Sequence, residues 1–153
     1  MSWVVGIGSS AGGLEALESF LGGVSPTDDL ALIVAQHLAP EHKSVLTELL
    51  SRMSSLPIVE AMDGAQIRGG SVIVAPPGHD IWVDGTTLVV RRPKERFSPA
   101  PSIDILLGSL AEHWGSASVG VILSGTGSDG SLGLRAVHAA GGLCLVQTPA
   151  SAA

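Results

Sequence analysis

Val4-Val5-Gly6-Ile7-Gly8-Ser9-Ser10-Ala11-Gly12-Gly13 begins as an apolar run and breaks into glycine and serine. Leu14 to Leu21 then follows with the spacing of an amphipathic helix, so the order is buried strand, tight turn, helix. Gly8-Ser9-Ser10-Ala11-Gly12 spells G-x-S-x-G, in which the glycines allow a sharp turn and the middle serine projects above a sheet. The helix N-terminus behind it favours negative charge developing nearby. Ser10 is thus a candidate nucleophile. Two other readings fit the same residues. Gly6-Ile7-Gly8-Ser9-Ser10-Ala11 matches the dinucleotide pattern G-x-G-x-x-A, but the second strand then has to end in an acidic residue, and it runs into His37. A plain glycine turn that lets helix and sheet pack closely also fits.

The rest of the chain repeats the first unit. Leu30 to Gln36 is a continuous apolar run, suited to a central parallel strand buried on both faces. A helix is expected from about Glu41 to Met53, with Val45, Leu46, Leu49, Leu50 and Met53 on one stripe, and a strand over Pro57 to Ala61. This β-α-β-α-β alternation predicts a parallel sheet with right-handed crossovers. Short strand-like segments follow at Ser71 to Ala75, Ile81 to Val83 and Thr87 to Arg91, with a hairpin signal at Asp84-Gly85. They are expected to form an antiparallel hairpin region at one edge of the sheet. Arg91 to Pro101 reads as an exposed loop with solvated basic residues. Ser102 to Trp114 is helical, with Ser102 as N-cap, Asp104 in the first turn, and Ile103, Leu106, Leu107 and Leu110 inward. Val119 to Leu123 is a strand, Ser124 to Gly130 a second glycine-rich turn, Leu132 to Ala140 a helix, and Leu143 to Val146 a last strand. The fold class is α/β: a doubly wound, mostly parallel sheet flanked by helices, with an antiparallel hairpin at one edge.

Composition narrows the function. At 153 residues the chain makes one domain with a real core. Charged residues are only 14% and apolar ones 45%, which argues against disorder. The net charge is -6, and the one basic cluster is Arg91, Arg92, Lys94 and Arg96, so nucleic acid is not an expected partner. The single cysteine, Cys144, rules out an internal disulfide and fits a reducing cytoplasm; set in an apolar strand, it reads as inert. No apolar run reaches membrane-spanning length and no signal peptide is evident, so no membrane insertion is expected. His37 and His42 lack a carboxylate or cysteine at matching spacing, and no metal site is expected. His113 and His138 read as ordinary helix residues, and His79 as a turn residue that can line a cleft.

Three strands end in chemistry-bearing residues: Ser10 after the first, His37 after the second and Asp129 beyond Leu123. In a parallel sheet all three ends share the carboxyl edge, where ligands bind, and neighbouring strands lie about 5 Å apart. Serine, histidine and aspartate on one rim make a nucleophile, its base and the group that orients the base. Taken singly, His37 can close a strand and Asp129 can cap the helix after it.

Gly6-Ile7-Gly8-Ser9-Ser10-Ala11-Gly12-Gly13, Gln36-His37-Leu38-Ala39-Pro40, Pro101-Ser102-Ile103-Asp104 and Leu123-Ser124-Gly125-Thr126-Gly127-Ser128-Asp129-Gly130 together resemble the catalytic domain of chemotaxis protein-glutamate methylesterase (CheB). The resemblance spans nearly the whole chain. It implies a serine hydrolase that removes methyl groups from glutamyl methyl esters on the cytoplasmic helices of methyl-accepting chemotaxis receptors, deamidates certain glutamines, and works in the cytoplasm without a cofactor. By motif position Ser10 is the nucleophile, His37 the general base and Asp129 the orienting acid, with backbone donors to the oxyanion at Ala11 and Thr126. Many relatives have methionine where this chain has Thr126. Residues 1–153 are expected to be this catalytic domain alone, with the family's closing C-terminal segment and receiver domain absent and regulation coming from a receiver or receptor-methyltransferase module. The alternative is a catalytically weak regulatory or docking module of a larger chemotaxis protein.

Overall fold

A computed structural model describes residues 1–9, 14–25, 27, 29–37, 46–95, 100–123 and 129–147. Six parallel strands form the main sheet: β1 Trp3–Ser9, β2 Leu30–Gln36, β3 Ile58–Glu60, β4 Val72–Val74, β7 Ser118–Leu123 and β8 Leu143–Val146. Their order across the sheet is β3-β4-β2-β1-β7-β8. From β1 the chain builds outward through β2 and then returns to β7 on β1's other side. The direction of winding therefore reverses beside β1, which is where such sheets open a crevice at their carboxyl edge. β1, β2 and β4 are apolar on both faces because helices cover both.

The helices are α1 Leu14–Gly22, α2 Leu46–Met53, α3 Ile103–Trp114 and α4 Ser131–Ala139. On one face Leu17 and Leu21 of α1 and Leu50 of α2 pack on Val5, Ile7, Leu32, Val34 and Val121. Of the stripe expected on α2, Leu50 is fully buried, while Glu41 to Val45 lie outside the described residues. On the other face Ile103, Leu106, Leu107 and Leu110 of α3 lie over Val4, Ile33 and Ile73. All four are the residues expected inward. α3 comes very close to β1, because a Cβ on Gly8 would stand 2.4 Å from Ile103 Cγ2. Glycine there is a packing requirement. Among the described residues no helix is long and apolar enough to cross a membrane.

Two details differ from the sequence expectation. Val72–Val74 does not join the hairpin; it is a parallel strand lying between β2 and β3. Its three residues are all buried, which suits an interior position. The hairpin is the pair β5 Asp80–Asp84 and β6 Thr87–Arg91, and it forms its own two-stranded sheet rather than extending the main one. It is held on α3: Ile81, Val83 and Leu88 are buried there, Ser109 Oγ accepts from Val83 N at 3.0 Å, and Trp114 Nε1 donates to Gly85 O at 3.0 Å. The last strand, β8, is a sheet edge with Leu143, Leu145 and Val146 exposed.

Candidate functional site

The ends of β1, β2 and β7 are level. Ser9 stands opposite Gln36 on one side and Leu123 on the other. His37, the first residue past β2, donates its backbone N–H to Ser9 O at 2.8 Å. The residue next in sequence to Ser9 is Ser10. Ser10, Ala11 and Thr126 lie outside the described residues.

His37 and Asp129, 92 positions apart in the chain, meet across this rim. His37 Nε2 lies 3.0 Å from Asp129 Oδ2 and 2.9 Å from Pro101 O. Both partners are acceptors, so Nε2 must carry the proton and donate to each. In the neutral ring this leaves Nδ1 bare, with no partner among the described residues. That is the protonation state a general base needs. The pair is partly buried, with side-chain exposures of 30% for His37 and 27% for Asp129, so water screens it only in part.

Asp129 is not the cap of the helix that follows it. Its carboxylate turns back onto the start of α3: Oδ2 also accepts from Ile103 N and Oδ1 from Asp104 N, each at 2.9 Å. α4 is served instead by Asp104, whose Oδ1 accepts from Gly130 N at 2.9 Å and Gly133 N at 2.8 Å. The two helices exchange carboxylates because their N-termini adjoin. Gly133 lies flush on α3, where a Cβ would come 2.6 Å from Leu107 Cβ. Gly130, at φ +106°, makes the turn between Asp129 and α4 in a backbone region that other residues rarely enter. Each aspartate accepts from backbone N–H groups at the start of the neighbouring helix, which that helix cannot pair internally.

The charges follow from this geometry. The hydrogen bond to Asp129 raises the pKa of His37; burial works the other way, and the attraction of the carboxylate and the bond to Pro101 O add to the rise. For Asp129, burial opposes ionisation. The hydrogen bonds from His37, Ile103 N and Asp104 N, with the attraction of the imidazolium, outweigh it and hold the carboxyl below its ordinary value.

Pro101 and Asp104 belong to the Pro101-Ser102-Ile103-Asp104 motif, to which the sequence assigned no role in the site beyond a helix start. Ser102 is the N-cap as expected, accepting from Ile105 N at 3.2 Å. Its own N–H donates to Asp80 Oδ1 at 2.7 Å, so β5 fixes the segment whose carbonyl meets His37. Of the other histidines, His42 lies outside the described residues, and His79 and His113 bond away from this pair. His79 Nδ1 donates to Pro77 O within its own turn, and His113 Nδ1 accepts from Gly85 N of the hairpin. Cys144 Sγ, partly buried, donates to Leu134 O at 3.3 Å.

The CheB methylesterase family matches residues 5–153. The chain belongs to the CheB methylesterase family. A protein-glutamate methylesterase/protein-glutamine glutaminase of Geobacter sulfurreducens is 37% identical over 153 residues, covering 97% of this chain and 41% of that protein. A like-named protein of Myxococcus xanthus is 36% identical over 148 residues, with the same coverage of 97% and 41%. The chain thus spans about two fifths of the length of these relatives. The crystal structure of the Thermotoga maritima CheB methylesterase catalytic domain superposes with a TM-score of 0.87 at 26% identity, over 99% of this chain and 82% of that one. The six-stranded sheet, its flanking helices and the separate hairpin are therefore the architecture of a CheB catalytic domain.

Proposed function

We propose that the chain hydrolyses γ-methyl esters of protein glutamates by acyl transfer through Ser10. Ser10 Oγ attacks the ester carbonyl carbon and its proton passes to His37 Nδ1. Backbone N–H groups at Ala11 and near Thr126 receive the oxyanion. The tetrahedral intermediate then expels methoxide, which takes the proton from His37 and leaves as methanol. Water adds to the acyl-enzyme with the same base, releasing glutamate and restoring Ser10. With a glutamine substrate the leaving group is ammonia and the rest is unchanged. Asp129 holds the Nε2–H tautomer and stabilises the imidazolium formed in each half-reaction.

The observation that carries this reading is the Nε2-bound His37–Asp129 pair beside the end of β1, which leaves Nδ1 as the bare nitrogen. Membership of the CheB methylesterase family and the names of the relatives support the substrate class. The substrate is a methylated chemoreceptor, attacked on its cytoplasmic helices, so the chain works in the cytoplasm. A receiver or methyltransferase module is the expected partner in regulation. Methanol released from a peptide carrying one glutamyl methyl ester tests the activity. The parent chain releases it above the spontaneous rate and Ser10→Ala does not; equal release from both refutes the reading.

A further inference from the structure

Beside the site lies a cavity of about 780 Å³ between the hairpin, the segment that follows it and the start of α3. Ser102 lines it, and the neighbouring residues on either side of Ser102 bind the catalytic pair: Pro101 O meets His37, and Ile103 N meets Asp129. Cavity and candidate site therefore share a wall one residue thick. Half of the eight lysines and arginines fall within residues 91–96 of this acidic chain, and Arg91, Arg92 and Lys94 line the cavity. Arg91 is committed, with Nη1 2.5 Å from Asp63 Oδ2. Arg92 and Lys94 form no ion pair among the described residues and are exposed. Of the acids in the lining, Asp80 is buried and turned onto Ser102 N, and Glu95 has a partner of its own. Trp82 and the exposed Ile105 supply apolar contact in the same wall.

Resting on the reading of the chain as a glutamyl ester hydrolase, we propose that this cavity is the docking subsite for free carboxylates flanking the reactive ester on the substrate peptide, with Arg92 and Lys94 as the recognising cations. A net charge of -6 repels an acidic peptide as a whole. A local cationic wall at the mouth of the site reverses that field where the peptide must enter. Exposed cations of this kind set which peptide is chosen and how salt affects it, rather than the chemistry at the ester.

The test uses two dye-labelled peptides with a central glutamine, one flanked by glutamates and one by glutamines, and reads binding by fluorescence anisotropy. At low salt the parent binds the glutamate-flanked peptide about tenfold more tightly, as two exposed charge contacts allow, and about 0.5 M salt removes the preference. R92Q/K94Q loses the preference, and R92E/K94E reverses it toward the glutamine-flanked peptide. The salt series on the parent needs no variant, and thermal melts check that both variants fold. Equal affinity of the parent for both peptides overturns the proposal, as does a preference that survives in R92Q/K94Q. Displacement of the glutamate-flanked peptide by an equal concentration of a short single-stranded oligonucleotide also overturns it, because the patch is then a general anion surface. Charge-dependent binding without methanol release from the ester form supports the docking site and refutes the hydrolase reading. Methanol release at equal kcat/KM from both flanking contexts does the reverse.

Discussion

Exchanging aspartate for asparagine at positions 129 and 104 has opposite expected results, although the two carboxylates sit side by side. Both oxygens of Asp129 accept: Oδ2 from His37 Nε2 and Ile103 N, Oδ1 from Asp104 N. An amide has one oxygen, so in either orientation its NH2 faces at least one N–H that has lost its acceptor. A buried donor left unpaired costs about 1–3 kcal/mol, and the partial exposure of this site favours the middle of that range, about 2 kcal/mol. For a chain of this size that lowers Tm by about 4–8 °C. With its NH2 toward His37, the amide in Asp129→Asn also favours the wrong tautomer and does not stabilise the imidazolium. In the serine-protease case the same exchange lowers turnover about ten-thousandfold, and a loss on the order of a hundredfold or more is expected here. Among the described residues Asp104 accepts only through Oδ1, from Gly130 N and Gly133 N. An asparagine in its place keeps that oxygen, so Asp104→Asn is expected to cost less than about 1 kcal/mol and to change turnover by less than about threefold. Asp104→Ala orphans both donors and costs about 2–3 kcal/mol. Thermal melts with methanol-release kinetics on the three variants decide the matter. If Asp129→Asn melts with the parent, or Asp104→Asn loses as much turnover as Asp129→Asn, the exchanged-carboxylate arrangement is wrong.

The pH profile of kcat/KM should show an acid limb above 6.5, the ordinary histidine value, because His37 must be neutral to act and its pKa is raised. Asp129→Asn moves that limb to lower pH, and a limb that stays put denies the coupling. The same pair ties stability to pH. The raised pKa of His37 stabilises the fold below 6.5, a contribution lost as pH rises through the folded value. The lowered pKa of Asp129 stabilises the fold above 3.8, a contribution lost as pH falls through its folded value. The parent's advantage over Asp129→Asn in chemical denaturation is therefore greatest between those two values, and a constant difference from pH 3 to 9 contradicts it. Gly8→Ala places a Cβ 2.4 Å from Ile103 Cγ2, so α3 must shift or the core must strain. A loss of about 1–3 kcal/mol in denaturant unfolding is expected, together with reduced turnover because Ile103 N holds Asp129; a fully stable, fully active variant shows that α3 packs differently.

The parallel strands were legible because burial on both faces leaves an unbroken apolar run, as in Leu30–Gln36, and glycine and serine mark where each run ends. The rim positions followed from that: His37 is the first residue past β2, and its partner lies past β7. Strand order was not legible. Val72–Val74 carries the same apolar signal in an interior parallel position as it would in a hairpin, and only the sheet's pairing places it between β2 and β3. The exchange between Asp104 and Asp129 was hidden for a similar reason. Each residue stands at a helix start and looks like a local cap, while the side-by-side packing of α3 and α4 sends each carboxylate across, joining residues 25 apart in sequence. The basic residues after β6 read as a solvated run, because nothing in their order reveals that the hairpin folds onto α3 and sets them beside the rim where His37 and Asp129 meet.

The central claim is that the His37–Asp129 pair activates Ser10 to form an acyl-enzyme. It is tested most directly by acid-quenching the chain during turnover of a glutamyl methyl ester peptide and locating any covalent adduct by mass spectrometry. The expected result is a peptide-sized mass less methanol on the fragment containing Ser10, strongly reduced in Asp129→Asn and absent in Ser10→Ala. Methanol release with no adduct on Ser10, continuing at the parent rate in Ser10→Ala, would contradict it.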